Sequence, residues 1–267
     1  MNFKGKVSIL SEIQSIATFE MERHPYPRHI VQWVLNHQSV KSVYQVIVKH
    51  ESERAFGYEA LSRPQFKQKN LKPDFWFRSA WEHSLSLQAD IAAIRSSFEN
   101  FHLFNFVPLF INVMPSSFVD RKFVPVYERL LYEFNVPPDK VVLEIVEFSS
   151  CNSNRLNESA AQIRALGSRI ALDDVGTGQS NLSCLVDLKP DLIKIDRSLV
   201  QGIATSTEKQ RLLSLFVEYM NHADAVIAEG IETVEDLQAV IQSGVKLSQG
   251  FHWGYPAPIE KIIDGRW

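Results

Sequence analysis

The sequence predicts an α/β fold, a modified TIM-type (β/α)8 barrel in which one strand runs antiparallel to the others. Three observations lead there. Eight short apolar runs, most of them β-branched, are spread along the chain at 44–48, 56–61, 109–113, 141–145, 169–172, 192–195, 225–228 and 247–250. Most are separated by stretches with helical room and pattern, such as 157–166, 208–220 and 234–243, and such alternation means parallel strands joined by crossover helices. The first two runs are separated only by the polar segment 49–55, too short for a crossover, so they read as an antiparallel hairpin.

Taken in order, the chain opens with Val7, Ile9, Leu10, Ile13, Ile16 and Ala17 at helical spacing, then breaks at His24-Pro25-Tyr26-Pro27. Ile30, Val31, Val34 and Leu35 repeat as a second short helix. Residues 1–40 are therefore expected to be a helical extension packed on a barrel formed by 41–267.

Composition sets bounds on function. The chain has 267 residues, 45% hydrophobic and 22% charged, ordinary for a globular protein with a large core. A net charge of -3 argues against duplex nucleic acid as a partner. No apolar run reaches the roughly 18 residues of a membrane helix; the stretch 103–113 is interrupted by Asn105, Pro108 and Asn112. The N-terminal lysines precede no apolar core of a secretion signal, so a cytoplasmic protein is expected. Cys151 and Cys184 are too few for a disulfide framework, and reduced thiols are expected.

In parallel barrels the chemistry gathers at the C-terminal ends of the strands. Here the strand ends carry Glu59, Asn112, Glu144, Asp173-Asp174, Lys194, Glu229 and Gln249. From Asn112 onward these markers are spaced by roughly 20 to 35 residues, one βα unit each. Singly each is weak: an Asp pair after a strand is often a cap or turn, and Asn112 an ordinary turn former. Lys194 between Ile193 and Ile195 is rarer, because the alternation points it into the barrel. Five carboxylates at one mouth cannot all stay ionised unaided. Bound cations resolve this, and an oxygen-only ligand set selects hard ions, Mg²⁺ or Mn²⁺. Two such ions bridged by a carboxylate suit phosphodiester hydrolysis.

These residues resemble the EAL family of cyclic di-GMP phosphodiesterases, bacterial second-messenger enzymes. Glu59-Ala60-Leu61 with Arg63 resembles the family's signature. Asn112, Leu143-Glu144-Ile145-Val146-Glu147, Asp173-Asp174-Val175-Gly176-Thr177-Gly178, Lys194-Ile195-Asp196-Arg197, Ala228-Glu229-Gly230-Ile231-Glu232-Thr233 and Gln249-Gly250 resemble its further motifs in their order. The resemblance implies metal-dependent hydrolysis of cyclic di-GMP to linear 5′-pGpG by water activated between two metal ions. It implies Glu59, Asn112, Glu144, Asp173 and Asp174 as metal ligands, with Ca²⁺ inhibitory. Lys194 and Glu229 would act on the attacking water, with Glu59 counted among the catalytic groups. Gln45, Leu61, Arg63 and Gln249 would contact substrate. Glu147 and Glu232 would support the site from loops, and a homodimer is implied. The chain resembles a stand-alone member or an excised catalytic domain. Ser62 replaces the family's second leucine, Val175 a phenylalanine, Gln179 a common aromatic, and Phe251-His252-Trp253-Gly254-Tyr255 is an unusual version of the segment lining the base pocket. Two other readings compete: a catalytically silent binder of the dinucleotide or of a protein, and a lyase using Lys194 as a Schiff base.

Overall fold

The computed structural model describes residues 25–104, 107–145, 154–176 and 182–263. Helix α1 (Arg28–Asn36) is followed by the hairpin β1 (Val40–Lys49) and β2 (Arg54–Phe66), with a two-residue β3 (Lys69–Asn70) added to β2. Then come α2 (Pro73–Glu82), α3 (Ser86–Phe98), β4 (Leu109–Val113), α4 (Pro115–Phe118) and α5 (Phe123–Glu133). The alternation continues through β5 (Val141–Ile145), α6 (Asn154–Leu166), β6 (Arg169–Val175), α7 (Leu182–Leu188) and β7 (Leu192–Ile195). It ends with α8 (Arg197–Val200), α9 (Thr207–Met220), β8 (Val226–Ala228), α10 (Val234–Gln242), β9 (Leu247–Ser248) and α11 (Ile259–Ile263).

The strands close into an eight-stranded barrel, in the order β1-β9-β8-β7-β6-β5-β4-β2, sealed by pairing of β1 with β2. β1 is the reversed strand, antiparallel to both β2 and β9, whereas β2 pairs parallel with β4. Helices begin where their sequences cap them: Ser206 on α9 and Thr233 on α10 accept backbone N–H bonds. A large apolar layer lies between the barrel and its helices, and a separate cluster under α1 joins Ile30, Val31 and Val34 to Trp76 and Ala80 of α2.

The barrel interior holds a third, smaller cluster: Ile47, Phe110, Val142, Ala171, Leu192, Ile227 and Leu247. Each lies two residues from a polar group of the mouth: Gln45, Asn112, Glu144, Asp173, Lys194, Glu229 and Gln249. The period-two geometry of a strand therefore stacks a polar layer on a dry apolar floor. On β2 the floor position is Gly57. A Cβ there would lie 2.8 Å from the Phe110 ring and 2.7 Å from the Pro108 carbonyl oxygen, so Phe110 fills the space of the missing side chain.

Two expectations need correction. The sequence predicts that the fifth strand (169–172) ends before Asp173, but β6 continues through Val175, which pairs with Ile195 and is buried. The smaller Val175 is thus core. Cys184, expected as a reduced thiol, is buried and disulfide-bonded; Cys151 lies outside the described residues, as do the first predicted helix and Gln179.

Asp90 is a buried acid that the sequence reading passed over. It sits in the inward stripe of α3 with Ala89, Ala93 and Ile94, and its Oδ2 accepts the Met114 N–H at 3.1 Å, tying α3 to the loop after β4. Burial pushes its carboxyl up to about 7. The folded state then holds a proton that the unfolded chain loses near pH 4. That contribution is full below about pH 4 and is lost as pH rises through about 7. Asp90→Asn, which keeps an acceptor for Met114 without the charge, should gain thermal stability relative to wild type as pH is raised from 5 to 8. Melting curves at both values check this; a difference independent of pH would refute it.

Candidate active site

Lys194 stands at the centre of the polar layer. Its Nζ lies 2.7 Å from Glu229, 2.9 Å from Glu144, 3.2 Å from Glu59 and 3.7 Å from Asp173. The lysine is 1% exposed and Glu144 is 0% exposed, so these charges meet in a medium with little solvent screening. Burial alone would lower the ammonium pKa, but the surrounding carboxylates outweigh it and hold Lys194 well above its ordinary value.

The carboxylates differ in how they are held. Glu59 is opposite Gln45 across the β1–β2 hairpin. Its Oε1 accepts from Asn112 Nδ2 at 2.8 Å and its Oε2 from Gln249 Nε2 at 2.7 Å. Burial favours its neutral form, yet Lys194 and these two amides prevail and hold it below the usual carboxylate range. Gln249 Nε2 also donates to Gln45 Oε1 at 3.0 Å, and Gln45 donates to the Gly254 carbonyl, so β1, β2 and the chain after β9 are laced together. Glu144 contrasts with Glu59. Apart from its ion-pair contact with Lys194, neither carboxylate oxygen has a hydrogen-bond donor among the described residues, and burial drives its carboxyl well up. Burial also raises Asp173, and it raises Glu229 to about 8.

Asp173 and Asp174 reach the site together because β6 is irregular there. The register with β7 shifts between Leu172 and Val175, and Asp174 has a φ of 55°. In a regular strand neighbouring side chains point to opposite faces; a bulge with one residue in the left-handed region, which Asp tolerates, turns both carboxylates toward the mouth. Asp173, Asp174 and Glu229 each place a carboxylate oxygen within 4.8 Å of the others. Burial, then the neighbouring Asp173 and Asp196, raise Asp174 to about 6.

Cavities open on both sides of this cluster. One of about 580 Å³ is walled by Leu61, Arg63, Phe77, Asn112 and Asp174, among others. The other, about 200 Å³, is walled by Gln45, Leu61, Glu229, Glu232 and Gln249. Leu61 borders both. Arg63 is half-buried and donates to the Ser62 carbonyl at 3.0 Å. Glu232 stands apart from the ion cluster, exposed at the rim of the smaller cavity and bonded by Gln201 Nε2. Glu147, Thr177 and Gly178 fall outside the described residues. Of the residues named from sequence, Gln45, Glu59, Asn112, Glu144, Asp173, Asp174, Lys194, Glu229 and Gln249 are thus brought together at one mouth. Asp196 and Arg197 also line the smaller cavity and had been given no role; the alternation that points Lys194 inward would have flagged Asp196 two residues on.

The cluster makes Lys194 a stability element as well as a chemical one. Lys194→Met leaves four carboxylates facing one another, and losing one partner of a buried ion network costs about 3–5 kcal/mol. We expect a loss of that order at pH 8 in EDTA, smaller at pH 5 where the carboxylates take up protons. Urea unfolding at the two pH values reads it out; the same loss at both would contradict the electrostatic origin.

The family model described as EAL domain matches residues 29–256. The chain is 28% identical over 254 residues to a protein of Escherichia coli (strain K12) named probable cyclic di-GMP phosphodiesterase PdeB, covering 92% of this chain and 48% of that protein. It is 29% identical over 209 residues to the cyclic di-GMP phosphodiesterase TpdA of Vibrio parahaemolyticus, covering 78% and 35%. The chain spans about half, or less, of the length of these relatives. Among solved structures, the calcium/cyclic di-GMP complex of Klebsiella pneumoniae BlrP1 superposes with a TM-score of 0.72 at 26% identity, over 87% of this chain and 58% of that one. An EAL domain protein of Listeria monocytogenes EGD-e shares the fold with a TM-score of 0.79 at 20% identity, over 90% and 97%. With that match running from α1 to beyond β9 and the ordered strand-end residues gathered at one mouth, the chain belongs to the EAL domain family.

Proposed function

We propose that this chain hydrolyses cyclic di-GMP to linear 5′-pGpG in the cytoplasm, using two divalent cations, Mg²⁺ or Mn²⁺. The observation that carries the reading is the state of the carboxylates. Glu144 is fully buried and, among the described residues, has no hydrogen-bond donor for its oxygens other than the Lys194 ammonium, beside an oxygen-only cluster of Asp173, Asp174 and Glu229. Buried acids left this way fit hard cations, which would satisfy the lone pairs and reverse the upward pKa drift. Glu59, Asn112, Glu144, Asp173 and Asp174 would hold the ions. When bound, the cations supply charge neutralisation of the phosphate and acidify a water.

The chain's own residues do the rest. Lys194, fixed from four sides, keeps a positive charge at the floor of the site and orients the attacking water together with Glu229. Gln249, already donating to Glu59 and Gln45, fixes the ligand carboxylate, and its buried Oε1 has no donor among the described residues. Leu61 borders both cavities, so a dinucleotide can straddle it with one base on each side while Arg63, from the larger, meets the phosphate held at the carboxylates. Relatives named as cyclic di-GMP phosphodiesterases, and the cyclic di-GMP complexes of BlrP1 with calcium and with manganese, support the substrate class. A homodimer fits the exposed stripe Leu212, Leu215 and Tyr219 on α9.

The test is incubation with cyclic di-GMP and chromatography of the products. We expect pGpG with Mg²⁺ or Mn²⁺, none in excess EDTA, and inhibition by Ca²⁺, whose longer and looser coordination misplaces the water. Glu59→Ala and Lys194→Ala should each lose about 10³-fold or more in kcat. Tight binding of cyclic di-GMP without turnover at any metal would instead make the chain a silent binder, and full activity in EDTA would overturn the metal-dependent reading.

A further inference from the structure

We infer that Arg197 is a substrate-binding residue, gripping the phosphate of the cyclic dinucleotide that is not being hydrolysed; this rests on the function proposed above. A cyclic dinucleotide carries two phosphodiesters. With one at the carboxylate cluster, the other must sit to one side, and on the side of the smaller cavity it meets the carboxylates Glu59, Asp196, Glu229 and Glu232. Arg197 is the cation in that wall.

Its availability follows from what its neighbours already do. Glu59 and Glu229 are engaged by Lys194, Asp196 Oδ1 accepts the Ser198 N–H that starts α8, and Glu232 Oε1 accepts from Gln201. Each nearby acid thus has its own donor, and Arg197 makes no ion pair among the described residues. In the larger cavity, by contrast, Arg63 donates to the Ser62 carbonyl and Arg78 is paired with Glu82.

The backbone is shaped to hold the Arg197 stem in place. Gly230, directly after Glu229, has a φ of +69°, and a Cβ there would lie 2.4 Å from Arg197 Cβ and 3.3 Å from its Cα. Only a residue without a side chain lets the β8 turn close against the first residue of α8. The arginine stem therefore leaves α8 beside the Glu229 turn, and the exposed residue lines the smaller cavity. A guanidinium fork on a phosphate forms charge-assisted, often bidentate bonds.

The experiment compares wild type with Arg197→Ala and Arg197→Lys on two substrates: cyclic di-GMP, and bis(p-nitrophenyl) phosphate, which has a single phosphate. Arg197→Ala should raise KM for cyclic di-GMP about 10- to 100-fold with kcat within about twofold. It should leave kcat/KM for the small ester unchanged, and Arg197→Lys should recover part of the loss, keeping charge without the fork. A KM within twofold of wild type, or equal losses on both substrates, overturns the assignment. If wild type fails to turn over cyclic di-GMP, the hydrolase reading falls. Calorimetric titration of cyclic di-GMP in Ca²⁺ then decides for Arg197: a Kd weakened about tenfold or more by Arg197→Ala sustains it, and an unchanged Kd, or no binding by wild type, overturns it.

Discussion

One buried ammonium organises this barrel. Lys194 lies within 4 Å of four carboxylates from β2, β5, β6 and the turn after β8, and it sits on an apolar floor that excludes water. Desolvating such a group costs several kcal/mol, and only close, well-placed partners return it. The partners are close because the strands fix them. Asn112 is level with Glu144 in the β4–β5 register, and Gln45 with Glu59 in the hairpin. The same registers that bury the apolar floor therefore set the geometry of the charges above it.

The compensation is uneven, and the unevenness gives the site its chemistry. Glu59 has a lysine and two amide donors and remains an anion. Glu144, equally buried, has the lysine alone among the described residues. Asp173 and Asp174 are crowded together by a bulge that brings two acids to one face where a flat strand would bring one. A barrel built for stability alone would avoid each of these. Their concentration on the side of the mouth formed by β5 and β6 is what the proposed cation site rests on.

Much of this was legible in the sequence because it obeys a period of two. Apolar residues at 110, 142, 192 and 227 precede polar ones at 112, 144, 194 and 229, and a lysine between two isoleucines has only one direction to point. The hairpin was legible from the length of its connection. What escaped has physical reasons too. Asp173-Asp174 reads as a turn, since nothing in a pair of aspartates signals a bulge with the strand continuing to Val175. Asp90 lay hidden in a helix of small residues, where only its phase with Ala89, Ala93 and Ile94 betrays burial. The bond state of Cys184 depends on which segments lie near it, which composition does not encode.

The reversed first strand has a consequence for the order in which the molecule assembles. Because β1 is gripped by β2 on one side and β9 on the other, barrel closure joins residues from opposite ends of the fold. The Gln45–Gln249 bond spans 204 positions, and Tyr44 exchanges two backbone bonds with Ala257. Glu59 thus receives one of its two amide donors from the last strand segment. Contacts of such long sequence separation are slow to form, and a chain emerging residue by residue holds its early strands open until the late ones arrive. The half-made barrel carries a carboxylate short of a donor and two unpaired strand edges. Closure of β9 on β1 therefore completes the donor set of Glu59 together with the sheet.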